Sequence, residues 1–194
     1  MRGTHGNTRR ALDLYAWNIQ AAATLYPIFQ VNEITLRNAV NRALVAQFGP
    51  EWPYSQGFLR ALPRRERQTF EDGCVKLERT LGVIRASTGD VVAAQTYWFW
   101  TFLLNSRFDK RIWSHEFARS FPHVPPRVSR SVVHARAESI RKLRNRIAHY
   151  EPLLDYDLIG AHQRAASMVM WISPASAEWA ASRWPLARHV LARP

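Results

Sequence analysis

The chain has 194 residues, 47% of them hydrophobic and 22% charged, which supports one domain with its own core and excludes a globally disordered chain. Eight Gly, eleven Pro and a single Cys exclude a collagenous or low-complexity chain, an internal disulfide and a multi-cysteine zinc site. Lys+Arg number 27 against 15 Asp+Glu, a net charge of +12, and such an excess favours polyanionic partners, nucleic acid first among them.

Only Lys76, Lys110 and Lys142 are lysines, so the positive charge is carried by arginine. Arginine offers phosphate a fork of paired donors, where lysine offers a point charge. The basic N-terminus lacks the apolar run and cleavage pattern of an export signal. With one cysteine, this points to a reducing compartment, the cytoplasm. The most apolar stretch, Val91 to Leu104, would span about 21 Å as a helix, short of a ~30 Å hydrocarbon core. It reads as a buried helix, and no membrane partner is expected.

Residues 1–9 read as a flexible leader before a domain over 10–194. From Arg10 to about Phe48 the pattern is helical, with Leu12, Tyr15, Ile19, Ala22, Ala23 and Tyr26 at spacings of three and four. Pro27 is expected to kink or break the run. Ile34, Leu36, Val40, Leu44 and Phe48 continue it, and Gly49-Pro50 ends it. Residues 49–62 read as a loop with a helical turn. Pro63 to Leu81 is a helix with Phe70, Cys74, Leu77 and Leu81 on one face, closed by Gly82.

Ser87-Thr88-Gly89-Asp90 is a capping turn that opens an aromatic helix over 91–105. A short helix starts near Asp109 and reaches Phe121, and Pro122–Pro126 is a linker. A long helix runs from about Arg127 to Tyr150, stopped by Pro152. Asp155 or Asp157 caps the next, to about Ile172. Pro174 opens a final helix through Trp184. No strand alternation, hairpin signal or internal repeat appears, so the expected fold is all-α in a single domain.

The densest polar cluster is Arg141-Lys142-Leu143-Arg144-Asn145-Arg146-Ile147-Ala148-His149-Tyr150-Glu151-Pro152, at the end of the long helix. Four cations in six residues repel one another unless an anion or carboxylates compensate. The dipole of the helix C-terminus offsets part of the cost. At about 100° per residue, Asn145 and His149 lie about 40° apart on one face, while Arg144 and His149 lie about 140° apart. For those two to act on one substrate, the Arg side chain curls round, the helix unwinds near His149, or a partner subunit supplies the second group. His149 is the type of group that moves protons near neutral pH. Arg144 and its neighbours suit a phosphodiester and the charge of its transition state. RNA brings its own nucleophile, the 2′-OH, so a base, an acid and a cation suffice without metal or cofactor.

Arg144-Asn145-Arg146-Ile147-Ala148-His149 resembles the motif of HEPN-domain ribonucleases: an Arg, a polar residue, then a His after four intervening positions. With Tyr150-Glu151-Pro152 it is similar to the Abi-like branch associated with abortive infection. The resemblance extends in order through Tyr15-Ala16-Trp17-Asn18, Glu33-Ile34-Thr35-Leu36-Arg37-Asn38, Phe48-Gly49, Trp52, Tyr97-Trp98-Phe99-Trp100, Trp113 and Trp171-Ile172. It implies a HEPN-like domain built on a four-helix bundle with additional helices. It also implies a homodimer whose two motifs form a composite site, and metal-independent RNA cleavage to a cyclic phosphate and a 5′-hydroxyl. Carried over, Arg144 and His149 are the catalytic pair and Asn145 orients them or the substrate. Tyr150 departs from the second His of relatives, and Tyr97-Trp98-Phe99-Trp100 replaces a Gly common there.

Arg141, Arg146, Tyr150, Arg37 and Asn38 are the expected substrate contacts. Glu33 and Arg37, at i,i+4, also suit an intrahelical salt bridge. Trp17, Asn18, Trp98, Trp100 and Trp113 are expected in the core or in helix packing, Trp179 and Trp184 at a surface. His5, His115, His123, His134, His162 and His189 show no metal-ligand spacing. Arg64, Arg65 and Arg67 form a solvated basic face or touch RNA backbone, and Cys74 is a small core residue.

The expected function is a metal-independent endoribonuclease of an antiphage-defence or toxin–antitoxin type. Its partners are RNA, a second copy, and an antitoxin or phage-derived trigger. The rivals are a non-catalytic RNA- or nucleotide-binding module on the same scaffold and a basic helical DNA-binding regulator. The angular gap between Arg144 and His149 predicts a two-fold dimer with the 127–150 helix near the axis. Light scattering should return about twice the chain mass, and a stable monomer of 22.4 kDa would contradict it.

Overall fold

The computed structural model describes residues 4–187, with side chains from Thr8 onward; residues 1–3 and 188–194, with His189 among them, lie outside it. Among the described residues every regular element is helical. The fold class is all-α, as the absence of strand signals predicted. Two compact units emerge. One holds the chain up to Thr35 and from Ala135 on, the other runs from Leu36 to His134.

Helix α1 spans Thr4–Phe48 with Pro27 inside it. From Thr4, the segment expected as a leader is therefore the first turns of α1. The break expected at Pro27 does not occur. Proline withholds one N–H from the ladder, but Leu25, Ile28 and Phe29 around it are buried. Packing therefore holds the helix through the missing rung.

In the first unit α1 meets the end of α7 (Arg130–Ala148), α8 (Leu158–Ile172) and α9 (Pro174–Arg183). The apolar residues of α1 that face this core are Trp17, Ala21, Leu25, Ile28 and Phe29. The other apolar stripe of α1, whose spacing marks the helix in the sequence, is turned outward: Tyr15 is 66% exposed and Ile19 54%. Polar side chains fix the register. Fully buried Asn32 donates to the Ala165 carbonyl of α8 at 3.1 Å, and the Leu153 amide donates to Asn18 Oδ1 at 2.7 Å. Arg136 of α7 donates to Ser167 of α8 and lies 4.2 Å over the Trp171 ring.

The second unit is organised by aromatic packing. Gly49, at φ 88°, ends α1. The expected loop after it holds a 3₁₀ turn, Trp52–Tyr54, and the short helix α2, Gln56–Ala61. Helix α3 is Arg64–Leu81, preceded by Pro63 and closed by Gly82 at φ 68°, as its sequence signals indicated. The rings of Trp52, Phe58, Phe70 and Phe99 lie 4.8 to 5.5 Å from their neighbours in this cluster. Burial pushes the Cys74 thiol up to about 11, which suits an inert core residue.

The aromatic helix expected over 91–105 is two helices, α4 (Thr88–Ala94) and α5 (Tyr97–Phe102), with Ser87 and Asp90 forming a capping box. Extended backbone at Gln95 and Thr96 separates them. That break resets the helical phase. Tyr97, Phe99 and Trp100 are buried, whereas Trp98, expected in the core, is 43% exposed and stacked on Phe102. The segment to Phe121 contains a 3₁₀ turn at Ser106–Phe108, a π-helical turn at Asp109–Trp113 and α6, Ser114–Ser120.

Helix α8 begins where Asp157 accepts the Gly160 amide at 2.8 Å. A side chain at Gly160 would collide with that carboxylate, so the glycine permits the close cap. The amide bond and Arg164 hold the Asp157 carboxyl below the usual aspartate range. A depressed folded value means that the stabilisation is present above the unfolded value and is lost as pH falls through the folded one. Asp157→Ala should cost about 1 kcal/mol at neutral pH, read by urea denaturation. The difference from wild type should disappear in strong acid.

Candidate functional site

The site expected from the sequence lies in the first unit, at the C-terminal end of α7. The helical ladder is intact to its last rung: the His149 amide donates to the Asn145 carbonyl at 2.9 Å. The chain then reverses. The Tyr150 amide donates to the Ile147 carbonyl at 3.1 Å and the Glu151 amide to the Arg146 carbonyl at 2.9 Å. This pair of bonds is the Schellman arrangement, which needs a left-handed residue at its turn and usually takes glycine there. Here that residue is Tyr150, at φ 58°. The same bonding closes α3 with Gly82.

The reversal is clipped from outside. Arg146 pairs with Glu151 at 2.9 Å, donates to the Pro152 carbonyl at 3.0 Å and lies 4.9 Å over the Tyr156 ring. It is thus engaged in holding the turn. Arg141 makes a two-pronged contact with Glu138 at 3.0 and 2.8 Å. Arg144 reaches Glu33 of α1 at 3.2 Å and donates weakly to Asn145 Oδ1 at 3.4 Å. Three carboxylates therefore answer the crowding of four cations. Lys142 is exposed and forms no ion pair among the described residues. It lies two turns before His149, about 20° away around the helix.

His149 is exposed, and no hydrogen bond to its side chain is present among the described residues. Neither unwinding near His149 nor a curl of Arg144 toward it closes the gap foreseen between them. Arg144 is drawn instead toward α1. Asn145, the next residue along α7, touches Arg144 only through that weak bond. Glu33, weighed in the sequence chiefly as a partner for Arg37, is the carboxylate that holds Arg144. No local signal distinguishes the two roles, because the choice depends on which helix packs beside α1.

Tyr150 is 90% exposed and lines a groove of about 650 Å³. The opposite wall is the outward stripe of α1, with Tyr15, Ile19 and Tyr26. Asn18 and Glu151 supply its polar groups. The two remaining expected contacts fall in the second unit. Asn38 is exposed there, and half-buried Arg37 has a buried Nε without a hydrogen-bond partner. Among the described residues no cluster of three or more His, Cys, Asp or Glu could hold a metal ion, and no helix is long and apolar enough to cross a membrane.

No family model, no curated protein and no solved structure matches this chain.

A tyrosine in the left-handed region carries a steric cost of about 1–2 kcal/mol that glycine does not. Since the Tyr150 ring is almost wholly exposed, little packing offsets it. Tyr150→Gly should therefore raise stability by about 0.5–1 kcal/mol, after the glycine's greater unfolded-state entropy. The check is a higher urea midpoint with an unchanged slope.

Proposed function

We propose that the protein is a metal-independent endoribonuclease of the HEPN, Abi-like kind. It cleaves RNA by attack of the 2′-OH and works as a homodimer with a composite site. The observation that carries this reading is the pairing of an unengaged His149 with an Arg144 held from two sides by Glu33 and Asn145. One group is free to exchange protons near neutral pH. The other is a fixed cation aimed away from it.

In the reaction His149 takes the 2′-OH proton of one nucleotide. The 2′-oxygen bonds to the adjacent phosphorus and the bond to the 5′-oxygen breaks. His149, now protonated, gives its proton to that oxygen, which leaves a 2′,3′-cyclic phosphate and a 5′-hydroxyl. Arg144 offsets the charge that builds on the phosphoryl oxygens. Lys142, on the His149 stripe, suits a flanking phosphate. Because α7 is helical to its end, Arg144 and His149 of one chain face about 140° apart, and the second copy brings the complementary pair opposite. Defence or toxin use, with an antitoxin or phage-derived trigger, belongs to the same reading and follows from the motif's resemblance alone. A non-catalytic RNA-binding module is the second reading, favoured by the engagement of Arg141 and Arg146 within the protein.

The test is cleavage of single-stranded RNA by wild type and variants. His149→Ala should lose about 10²–10⁴-fold in rate with stability changed by less than about 0.5 kcal/mol, since the side chain is exposed. Arg144→Ala should lose comparable activity and up to about 1 kcal/mol of stability, because its ion pair with Glu33 is lost. EDTA should leave the rate unchanged, and a 2′-deoxy nucleotide at the cut should block it. Full activity in His149→Ala overturns the mechanism. RNA binding without cleavage by wild type selects the second reading.

A further inference from the structure

The groove beside His149 has an unusual lining for a surface. Tyr15, Ile19 and Tyr26 are 66%, 54% and 44% exposed, and the ring of Tyr150 is 90% exposed. Four large apolar side chains left in water around one concavity of about 650 Å³ fall within the size range of small-molecule sites. The polar groups at this groove are specific. Asn18 accepts the Leu153 amide through Oδ1 at 2.7 Å, so its Nδ2 remains as a donor. Glu151 adds an acceptor, one of its oxygens being taken by Arg146. A flat aromatic heterocycle with both N–H and acceptor groups on its edge matches this set.

The backbone points the same way. Tyr150 occupies a conformation that favours glycine, and its ring is not used for packing. Strain of this kind is retained where the surrounding structure over-determines it, and it concentrates at functional positions. The arginine and lysine of α7, Arg144 and Lys142, place positive charge on the helix that carries one wall of the groove. A polyanion bearing a base therefore fits better than a neutral apolar partner.

We infer that this groove is a nucleobase pocket. It seats one unpaired base of single-stranded RNA next to the scissile phosphate, with Tyr150 as its stacking wall and Asn18 and Glu151 on the base edge. The inference rests on the ribonuclease reading and assigns the part of that site which binds a base of the substrate. Base–aromatic stacking tolerates many sequences and is strong enough to govern binding.

The experiment uses the full chain and short single-stranded oligoribonucleotides. Each carries 2-aminopurine, a fluorescent base quenched on stacking, at one position in turn, with 2′-deoxyribose at the cut to stop turnover. Wild type should quench one position adjacent to the cut. Tyr150→Gly and Ile19→Arg should abolish that quenching, and Tyr150→Phe should recover it. With cleavable RNA the first two should raise KM roughly tenfold while kcat falls less. An abasic residue at the quenched position should weaken wild type to the level of Tyr150→Gly and weaken Tyr150→Gly no further. Equal abasic losses in both proteins would overturn the pocket. So would a change from dimer to monomer on Ile19→Arg by light scattering, which would make the groove an interface between copies. Quenching lost on Tyr150→Gly in a protein that never cuts RNA keeps the pocket and rejects the ribonuclease. Unaltered cleavage and quenching in Tyr150→Gly keep the ribonuclease and reject the pocket.

Discussion

The way α7 stops governs the layout of one end of the first unit. Two backbone hydrogen bonds, from Tyr150 to Ile147 and from Glu151 to Arg146, reverse the chain immediately after His149. Arg146 locks the reversal through Glu151 and the Pro152 carbonyl, and the Leu153 amide anchors it to Asn18 of α1. His149 is left at the rim, Tyr150 at the groove, and the chain is delivered to the Asp157 cap that starts α8. A longer α7 would carry His149 into the middle of a helix face. A looser turn would free the Tyr150 ring.

Charge on α7 is handled in the same economical way. A row of like charges is tolerable when each has a carboxylate within reach. Glu138, Glu33 and Glu151 answer Arg141, Arg144 and Arg146. These pairs are partly exposed, so each contributes modestly to stability. Their larger effect is geometric. Arg141 and Arg146 are committed to the protein, Arg144 is aimed at α1, and Lys142 and His149 remain available on one stripe. The number of basic residues overstates how many can meet a phosphate.

Much of the chain's organisation was legible because local chemistry writes it. Pro63, Gly82 and Pro174 act through their own backbone preferences and Ser87 and Asp157 through side-chain caps, and the helices they bound begin or end beside them. The failures have a common cause. Pro27 was read as a kink or a break, but the helix runs through it with buried residues on either side. The run over 91–105 was read as one helix, but burying Phe99 and Trp100 required a change of phase at Gln95-Thr96. The helix of α1 was legible from its spacing, but α1 bears two apolar stripes, and periodicity cannot say which one meets a neighbour.

The sequence by itself determined an all-α chain, the positions of most helix ends, and the presence of Arg144, Asn145 and His149 on one helix terminus at fixed angles. These follow from dihedral preference and helical period, which act within a few residues. Tertiary structure alone decided that Glu33 holds Arg144, that Asn18 anchors the turn after Tyr150, and that Tyr15, Ile19 and Tyr26 face a groove. Each of those depends on which of several chemically equivalent partners lies alongside. That choice is set by packing between segments more than a hundred residues apart.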